Sequence, residues 1–106
     1  MVQQISPVEL RDRLGSAPPP VVLDVREPAE IAIARMPEAL EIPMNDVPRR
    51  FAEIPSDRDV VVVCHHGMRS AQVASFLADR GHPSVLNLAG GIDAWSLQVD
   101  PSVRRY

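Results

Sequence analysis

VVVVCHHGMRS, residues 60–70, is the stretch that decides the fold. Four consecutive valines are the pattern of a strand buried on both faces, which is typical of a parallel sheet covered by helices. Cys64, the only cysteine of the chain, follows these valines directly. In an open parallel sheet, ligands bind outside the carboxyl ends of the strands. The stretch therefore predicts a parallel α/β sheet and places Cys64 at the edge where binding sites form.

Further strand and helix patterns flank this stretch on both sides. The strand patterns are VVLDV at residues 21–25, the shorter LEIP at 40–43, and PSVLNLAGG at 83–91. Helical patterns occur at residues 5–15, 26–37 and 70–81 and from residue 92, and residues 44–55 predict a further helix or a pair of turns. Strands that alternate with helices imply a mainly parallel sheet with helices on both faces. The sequence thus predicts a small three-layer α/β domain.

The first helical pattern also carries start and stop signals. Ser6 at the N-cap, Pro7 at the first helical position and Glu9 at the third have the pattern of a capping box. Gly15 fits the end of the helix. The chain is expected to open with this helix.

Length and charge bound the possible functions. A chain of 106 residues is expected to form one domain over residues 1–106, with a core at about 3–97 and a C-terminal surface extension at 98–106. The net charge of −3 argues against a nucleic-acid surface, which would normally show a basic face. All eleven basic residues are arginine, so lysine cannot be a nucleophile or form a Schiff base.

The single cysteine and the N-terminal residues bear on the compartment. One cysteine cannot form an internal disulfide, which indicates a reducing environment. The opening MVQQISPVEL lacks the basic and apolar regions of a signal peptide. Apolar runs fall well short of the roughly 20 residues needed to span a bilayer. We therefore expect a cytoplasmic protein without membrane contact.

The residues after Cys64 can build an anion site. A tight turn there would point successive backbone N–H groups inward, and Gly67 permits the backbone angles that such a turn requires. The positive end of a helix starting near Ser70 would face the same point. Arg69 adds a permanent cation that can hold an oxyanion through two parallel hydrogen bonds. Together these groups would favour the thiolate form of Cys64, which is the nucleophilic form.

Other interpretations of the same residues stay open. A cysteine after a valine run is often a small buried hydrophobic residue. A zinc site from Cys64, His65 and His66 is less favoured, since adjacent residues rarely reach one tetrahedral ion together. The two histidines could instead line the rim of the pocket or a partner surface. His82, between a glycine and a proline, is expected to lie in a solvent-facing turn, and a serine hydrolase is disfavoured because no G-x-S-x-G pattern is present.

Three blocks carry a family resemblance. VVLDVREPAE at residues 21–30, CHHGMRS at 64–70 and NLAGGIDAW at 87–95 resemble, in order and spacing, the signature blocks of single-domain rhodaneses. The resemblance implies a small rhodanese-like α/β domain with a central parallel sheet. It also implies thiosulfate sulfurtransferase chemistry, in which a cysteine accepts a sulfane sulfur as a persulfide and passes it to a nucleophile.

Carried over residue by residue, the resemblance makes Cys64 the catalytic nucleophile. The loop after it would cradle the transferred sulfur, and Arg69 would bind the donor anion. The substrate- and anion-binding residues expected on this basis are His65, His66, Gly67, Met68, Arg69 and Ser70. Asp24 and Arg26 match a supporting, mainly structural position beside the loop. Gly90, Gly91 and Trp95 match the late turn and the last helix.

The resemblance also implies partners. The donor would be a small sulfur anion such as thiosulfate, and the acceptor a thiol, cyanide or a sulfur-carrier protein. Neither a metal nor a cofactor is expected.

The spacing from Cys64 to Arg69 separates the activities known for this fold. Four residues lie between them, whereas the related phosphatases and arsenate reductases carry one residue more. A shorter ring of N–H groups fits one sulfur atom better than a tetrahedral phosphate or arsenate. The sequence therefore favours a sulfurtransferase, with a non-catalytic rhodanese-like binding or sensor module as the alternative and a phosphatase or arsenate reductase least favoured. Residues 34–39 depart from the family pattern Gly-His-Ile-Pro-Gly-Ala, because Ala34 and Glu38 replace its two glycines.

Overall fold

The chain folds around one sheet, whose five strands all run parallel in the order β1-β5-β4-β2-β3. The structure is a computed structural model that describes residues 2–106. The strands are β1 Gln3–Ile5, β2 Val21–Asp24, β3 Leu40–Glu41, β4 Val60–Val63 and β5 Val85–Leu88. The helices are α1 Pro7–Leu14, α2 Pro28–Ile33, α3 Met68–Asp79 and α4 Gly91–Gln98, and short 3-10 helices span Met44–Asp46 and Phe51–Glu53. The predicted α/β fold with a parallel central sheet is confirmed.

Strand β4 lies at the centre of the sheet and is buried on both faces. All four residues of Val60–Val63 are inaccessible to solvent. Successive side chains of a strand point to opposite faces. Accordingly, Val61 and Val63 pack with apolar residues of α1 and α4, while the other two valines and Cys64 pack with α3. At roughly 1.5–3 kcal/mol for each fully buried apolar side chain, this strand anchors the sheet and fixes Cys64 at its carboxyl end.

The N-terminal residues differ from the prediction in two respects. Strand β1, which pairs with β5 at one edge of the sheet, precedes the helix that was expected to open the chain. Ser6 does cap α1, since its Oγ accepts the Glu9 N–H at 3.1 Å. The return bond of a capping box is absent among these residues, because the Glu9 carboxylate accepts from Arg13 instead.

The structure also tests the predictions for residues 44–55 and for His82. Residues 44–55 form the pair of short turns rather than a regular helix. The expectation that His82 faces solvent is wrong: it is 8% exposed, and its Nε2 lies 2.7 Å from the Pro55 carbonyl oxygen. The ring ties the turn after α3 to the loop before β4, which is a structural role.

The residues after α4 return to the body of the protein. Most of the segment is exposed, but Val103 is buried and its carbonyl accepts the Ser96 hydroxyl. This anchor directs Tyr106 toward the loop after Cys64. Across residues 2–106, none of the helices combines the length and the apolar character that crossing a membrane requires.

Candidate active site

Cys64 lies at the floor of a shallow depression with a volume of about 210 Å³, lined by Cys64, His65, His66, Met68 and Arg69. The residue is only 1% exposed, because strand β4 delivers it to the inner end of this depression. The backbone N–H of Gly67 donates to the Cys64 Sγ over 3.0 Å. Gly67 has φ of 105° and is the N-cap of α3. The chain thus curls around the sulfur and enters the helix, whose first N–H groups have no intrahelical partner.

The first turn of α4 holds this loop from behind. The N–H groups of Ile92 and Asp93 donate to the carbonyl oxygens of Cys64 and His65, over 2.8 and 3.2 Å. The N–H and C=O of a trans peptide point in opposite directions. The N–H groups that follow these two carbonyls therefore face away from α4. Gly91 allows the close approach, because a Cβ there would lie 2.6 Å from the Cys64 carbonyl oxygen and closer still to that of His65.

A buried polar pair sits beside the sulfur. Ser70 is inaccessible to solvent, and its Oγ lies 3.3 Å from the Cys64 Sγ. Ser70 donates its hydroxyl hydrogen to Oδ1 of Asn87, which can only accept. The Asn87 amide nitrogen in turn donates to the carbonyl of Gly67 and to Gln4. The serine consequently presents a lone pair, not a hydrogen, to the cysteine in this arrangement.

Arg69 lies at the rim of the depression and is bound by a carboxylate. Its two terminal nitrogens donate to the two Glu30 oxygens over 2.6 and 2.8 Å. The hydrogen bond from Arg69 lowers the pKa of Glu30 to about 2, against the cost of partial burial. Glu30 correspondingly raises the pKa of Arg69. Glu30 also accepts the Tyr106 hydroxyl over 2.8 Å.

Asp24 and Arg26 form a fully buried ion pair beneath this rim. The Arg26 Nη2 lies 2.7 Å from the Asp24 carboxylate, and both side chains are inaccessible to solvent. Arg26 also donates to the Ala34 carbonyl and to the Tyr106 hydroxyl. The pair therefore connects β2, the segment after α2 and the C-terminal residues. A charged pair this deep is held in place by its several hydrogen bonds.

The segment that departs from the family pattern keeps the backbone shape of a glycine. Glu38 has φ of 57°, in the left-handed region that glycine adopts most readily. Ala34, at the other replaced glycine, is in an extended conformation with φ of −150°. Only Glu38 is therefore strained by the replacement.

The two histidines stack rather than converge. The His65 ring lies between those of His66 and Tyr106, with both centroid distances 3.9 Å. Burial, followed by the charge of His66, lowers the pKa of His65, which favours the neutral ring at neutral pH. Met68 projects outward and is 78% exposed.

The two histidines also lie beside Asp93, a grouping of metal-ligand residue types that differs from the one weighed in the sequence. His65, His66 and Asp93 each offer one ligand atom, and these atoms lie within 4.8 Å of one another. However, nearly parallel stacked rings cannot aim their in-plane lone pairs at a single ion. The Asp93 carboxylate is also bound by Arg105 over 2.9 Å. The geometry fits an aromatic stack better than a metal site.

The structure brings the predicted loop residues around Cys64 and places Asp24 and Arg26 below its rim. It adds three residues that sequence reasoning did not single out: Glu30, Asn87 and Tyr106. Asn87 carried a signal, because it is a polar residue between two leucines of a predicted strand. Glu30 lay in the first signature block without an assigned role. Tyr106 offered no local signal, because only the tertiary path of the last residues brings it here.

Comparison with known proteins supports one family. The sequence matches the Rhodanese-like domain over residues 6–98. A protein named Sulfurtransferase from Allochromatium vinosum is 46% identical over 103 residues, which cover 97% of this chain and 96% of that protein. The Putative sulfurtransferase YtwF of Bacillus subtilis is 32% identical over 94% of this chain and 96% of its own length. The crystal structure of a Rhodanese-like Domain Protein from Staphylococcus aureus superimposes with a TM-score of 0.85 at 30% identity, covering 99% of both chains. The chain therefore belongs to the rhodanese-like domain family, with sulfur transfer as its class of activity.

Proposed function

We propose that this protein moves a sulfane sulfur from a donor to a nucleophilic acceptor through a persulfide on Cys64. The observation that carries the proposal is the curl of the loop around the Cys64 Sγ, with the Gly67 N–H 3.0 Å away and α3 starting directly behind it. A thiolate, or the anionic sulfur attached to it, is stabilised by N–H donors and by a helix N-terminus.

The reaction needs few groups beyond this loop. With thiosulfate, the Cys64 thiolate attacks the outer sulfur, the donor S–S bond breaks, and sulfite leaves with the electron pair. The transferred sulfur is then anionic and stays within reach of the N–H groups that held the thiolate. A thiol or cyanide attacks this outer sulfur next and releases the Cys64 thiolate. No general base is required once the thiolate exists.

The size of the loop supports sulfur over phosphorus. The four residues between Cys64 and Arg69 curl tightly enough for the Gly67 N–H to reach the sulfur itself. A tetrahedral phosphate or arsenate needs a wider ring. A binding or sensor module, in turn, has no need for a cysteine, a left-handed glycine and an arginine in this arrangement.

The acceptor would meet the exposed rim of the depression. Met68 offers an apolar contact there, being 78% exposed, and this suits a thiol or a sulfur-carrier protein. A reducing compartment such as the cytoplasm would keep the single cysteine free for the reaction.

Mass spectrometry tests the proposal. Incubation with thiosulfate should add one sulfur atom to the protein, and cyanide should remove it. Cys64→Ser should gain none, whereas Ser56→Ala, a control at an exposed loop serine, should load like the wild type. Failure of the wild type to form a persulfide with thiosulfate, glutathione persulfide or any other sulfane donor would refute the proposal. Hydrolysis of an aryl phosphate would instead favour the phosphatase alternative.

A further inference from the structure

The guanidinium group at the mouth of the site is already occupied. Both terminal nitrogens of Arg69 are bound by the Glu30 carboxylate, in the two-pronged geometry that an oxyanion donor would use. The pair is only partly exposed, with 35% of the Arg69 side chain and 21% of the Glu30 side chain accessible. A donor that needs this fork must first displace a carboxylate of the protein itself.

Glu30 is held firmly in that position. Besides Arg69, it accepts the Tyr106 hydroxyl over 2.8 Å and the backbone N–H of Glu27 over 3.2 Å. Tyr106 is itself fixed, because it stacks on His65 and accepts a hydrogen bond from Arg26. With a pKa of about 2, Glu30 stays charged at every pH at which the folded protein would work.

The neighbouring cations offer no substitute for Arg69. Arg26 is bound by Asp24 in the buried pair. Arg105 is bound by Asp93 over 2.9 Å. Arg26, Arg69 and Arg105 are thus each bound by a carboxylate.

Thiosulfate and a persulfide make different demands on such a rim. Thiosulfate is a dianion whose sulfonate oxygens seek a cation with parallel donors. A persulfide, R–S–SH, presents its outer sulfur to the N–H groups near Cys64, and its leaving group R–S⁻ has no oxyanion at the reacting sulfur for the Arg69 guanidinium group to bind. The N–H donors near Cys64 are available, whereas the Arg69 guanidinium group is already bound by Glu30. Such a site fits a persulfide better than thiosulfate.

We propose, on the basis of the sulfurtransferase function argued above, that Glu30 determines donor specificity by competing with sulfonate donors for Arg69, so that the site takes sulfur faster from persulfides than from thiosulfate. The Cys64 thiolate attacks the outer sulfur of R–S–SH, and a new S–S bond forms at Sγ as the donor S–S bond breaks. The electron pair leaves with R–S⁻, and the proton stays on the transferred sulfur. Atoms and charge balance without an added oxidant or reductant.

Glu30→Gln is the variant that tests this role. The neutral amide competes less well for Arg69, so the sulfonate end of thiosulfate gains access to the fork. We expect the ratio of kcat/KM for thiosulfate to kcat/KM for glutathione persulfide to rise about tenfold, the range of one charge-assisted contact. Tyr106→Phe, which loosens Glu30 without removing its charge, should raise the same ratio by about threefold.

Glu53→Gln is the matched control. Glu53 accepts two hydrogen bonds from Arg50, over 2.8 and 2.9 Å, in an ion pair of the same kind that does not line the depression. Its loss should leave the donor ratio unchanged. A donor ratio is insensitive to partial unfolding, because unfolding lowers both rates together.

The outcomes separate this inference from the proposed function. If both donors load Cys64 but Glu30→Gln leaves the ratio unchanged or lowers it, the specificity role of Glu30 is wrong and sulfur transfer stands. If no sulfane donor loads the wild type, the proposed function itself fails. Should Glu30→Gln not fold, the ratio in Tyr106→Phe decides alone. A persulfidated cysteine peptide, run beside glutathione persulfide, distinguishes a protein-borne donor from a small-thiol donor by which loads faster.

Discussion

Replacing Gly91 with alanine would press a methyl group against the cysteine loop. Gly91 has φ of 65°, and a Cβ there would lie 2.6 Å from the Cys64 carbonyl oxygen. Ordinary contacts of a Cβ begin at 3.4 Å, so the first turn of α4 and the cysteine loop would have to separate by at least about 0.8 Å. Both are backbone segments joined by hydrogen bonds from Ile92 and Asp93, and neither can move aside like a flexible side chain.

The cost has two parts. The left-handed backbone conformation costs an alanine about 1 kcal/mol relative to glycine. Forcing packed backbone apart costs roughly 1–3 kcal/mol more. The free energy of unfolding should therefore fall by about 2–4 kcal/mol, which for a domain of this size lowers the melting temperature by roughly 10–30 °C.

Gly81→Ala measures the cost of the left-handed backbone conformation without the steric overlap. Gly81 also has a positive φ, of 93°, but a Cβ there would meet nothing within 4 Å. Urea and thermal denaturation of both variants should show a loss of about 1 kcal/mol for Gly81→Ala and a clearly larger loss for Gly91→Ala. Persulfide loading should slow by up to about a hundredfold in Gly91→Ala alone, since a shift near 1 Å misplaces the N–H donors.

Two results would refute this reasoning. Equal stabilities of the two variants would show that the close approach at Gly91 does not constrain the fold. A destabilised Gly91→Ala that still loads sulfur at the wild-type rate would show that the first turn of α4 does not position the loop.

Two further changes test the strained and charged positions near the site. Glu38→Gly should raise stability by about 0.5–1 kcal/mol, because glycine relieves the left-handed conformation at φ of 57°; a lower melting temperature would contradict this. Because Arg69 lowers the pKa of Glu30 from 4.5 to about 2, the stability from Glu30 is present above about pH 4.5 and is lost as the pH falls toward 2. Thermal melts from about pH 6 to 2 should therefore show a steeper loss for the wild type than for Glu30→Gln, and parallel curves would count against the ion pair.

The centre of the fold was predictable because its signals are local. The run Val60–Val63 has the composition of a doubly buried strand, and a glycine and a helix start follow it within a few residues. Strand β1 escaped prediction because only Ile5 of its three residues is buried, so it shows no pattern. The burial of His82 depends on the Pro55 carbonyl, 27 residues away, which no pattern around His82 reveals.

In the candidate site, too, contacts between residues close in sequence were predictable and contacts between distant residues were not. The curl around Cys64 follows from residues that are adjacent in sequence, and the sequence predicted it. The partner of Arg69 is 39 residues away, and Tyr106 reaches Glu30 across 76 residues. Sequence reasoning therefore expected Arg69 to bind the donor anion, and only the tertiary structure shows that a carboxylate of the protein binds its guanidinium group.

The all-parallel sheet has a consequence for how the protein reaches its active form. Neighbouring strands are never joined by a hairpin: β4 pairs with β2 and β5 through residues 39 and 25 positions apart, Val21 with Val60 and Val60 with Val85. Pairing over such distances requires loop closure before any contact is gained, which slows folding. The loop around Cys64 joins β4 to α3 and is held by hydrogen bonds from the start of α4. We therefore expect the loop to form only after these elements have packed on the completed sheet. A refolding chain would then carry an accessible thiol until its last step, and the rate at which sulfur loading recovers would measure the rate of that step.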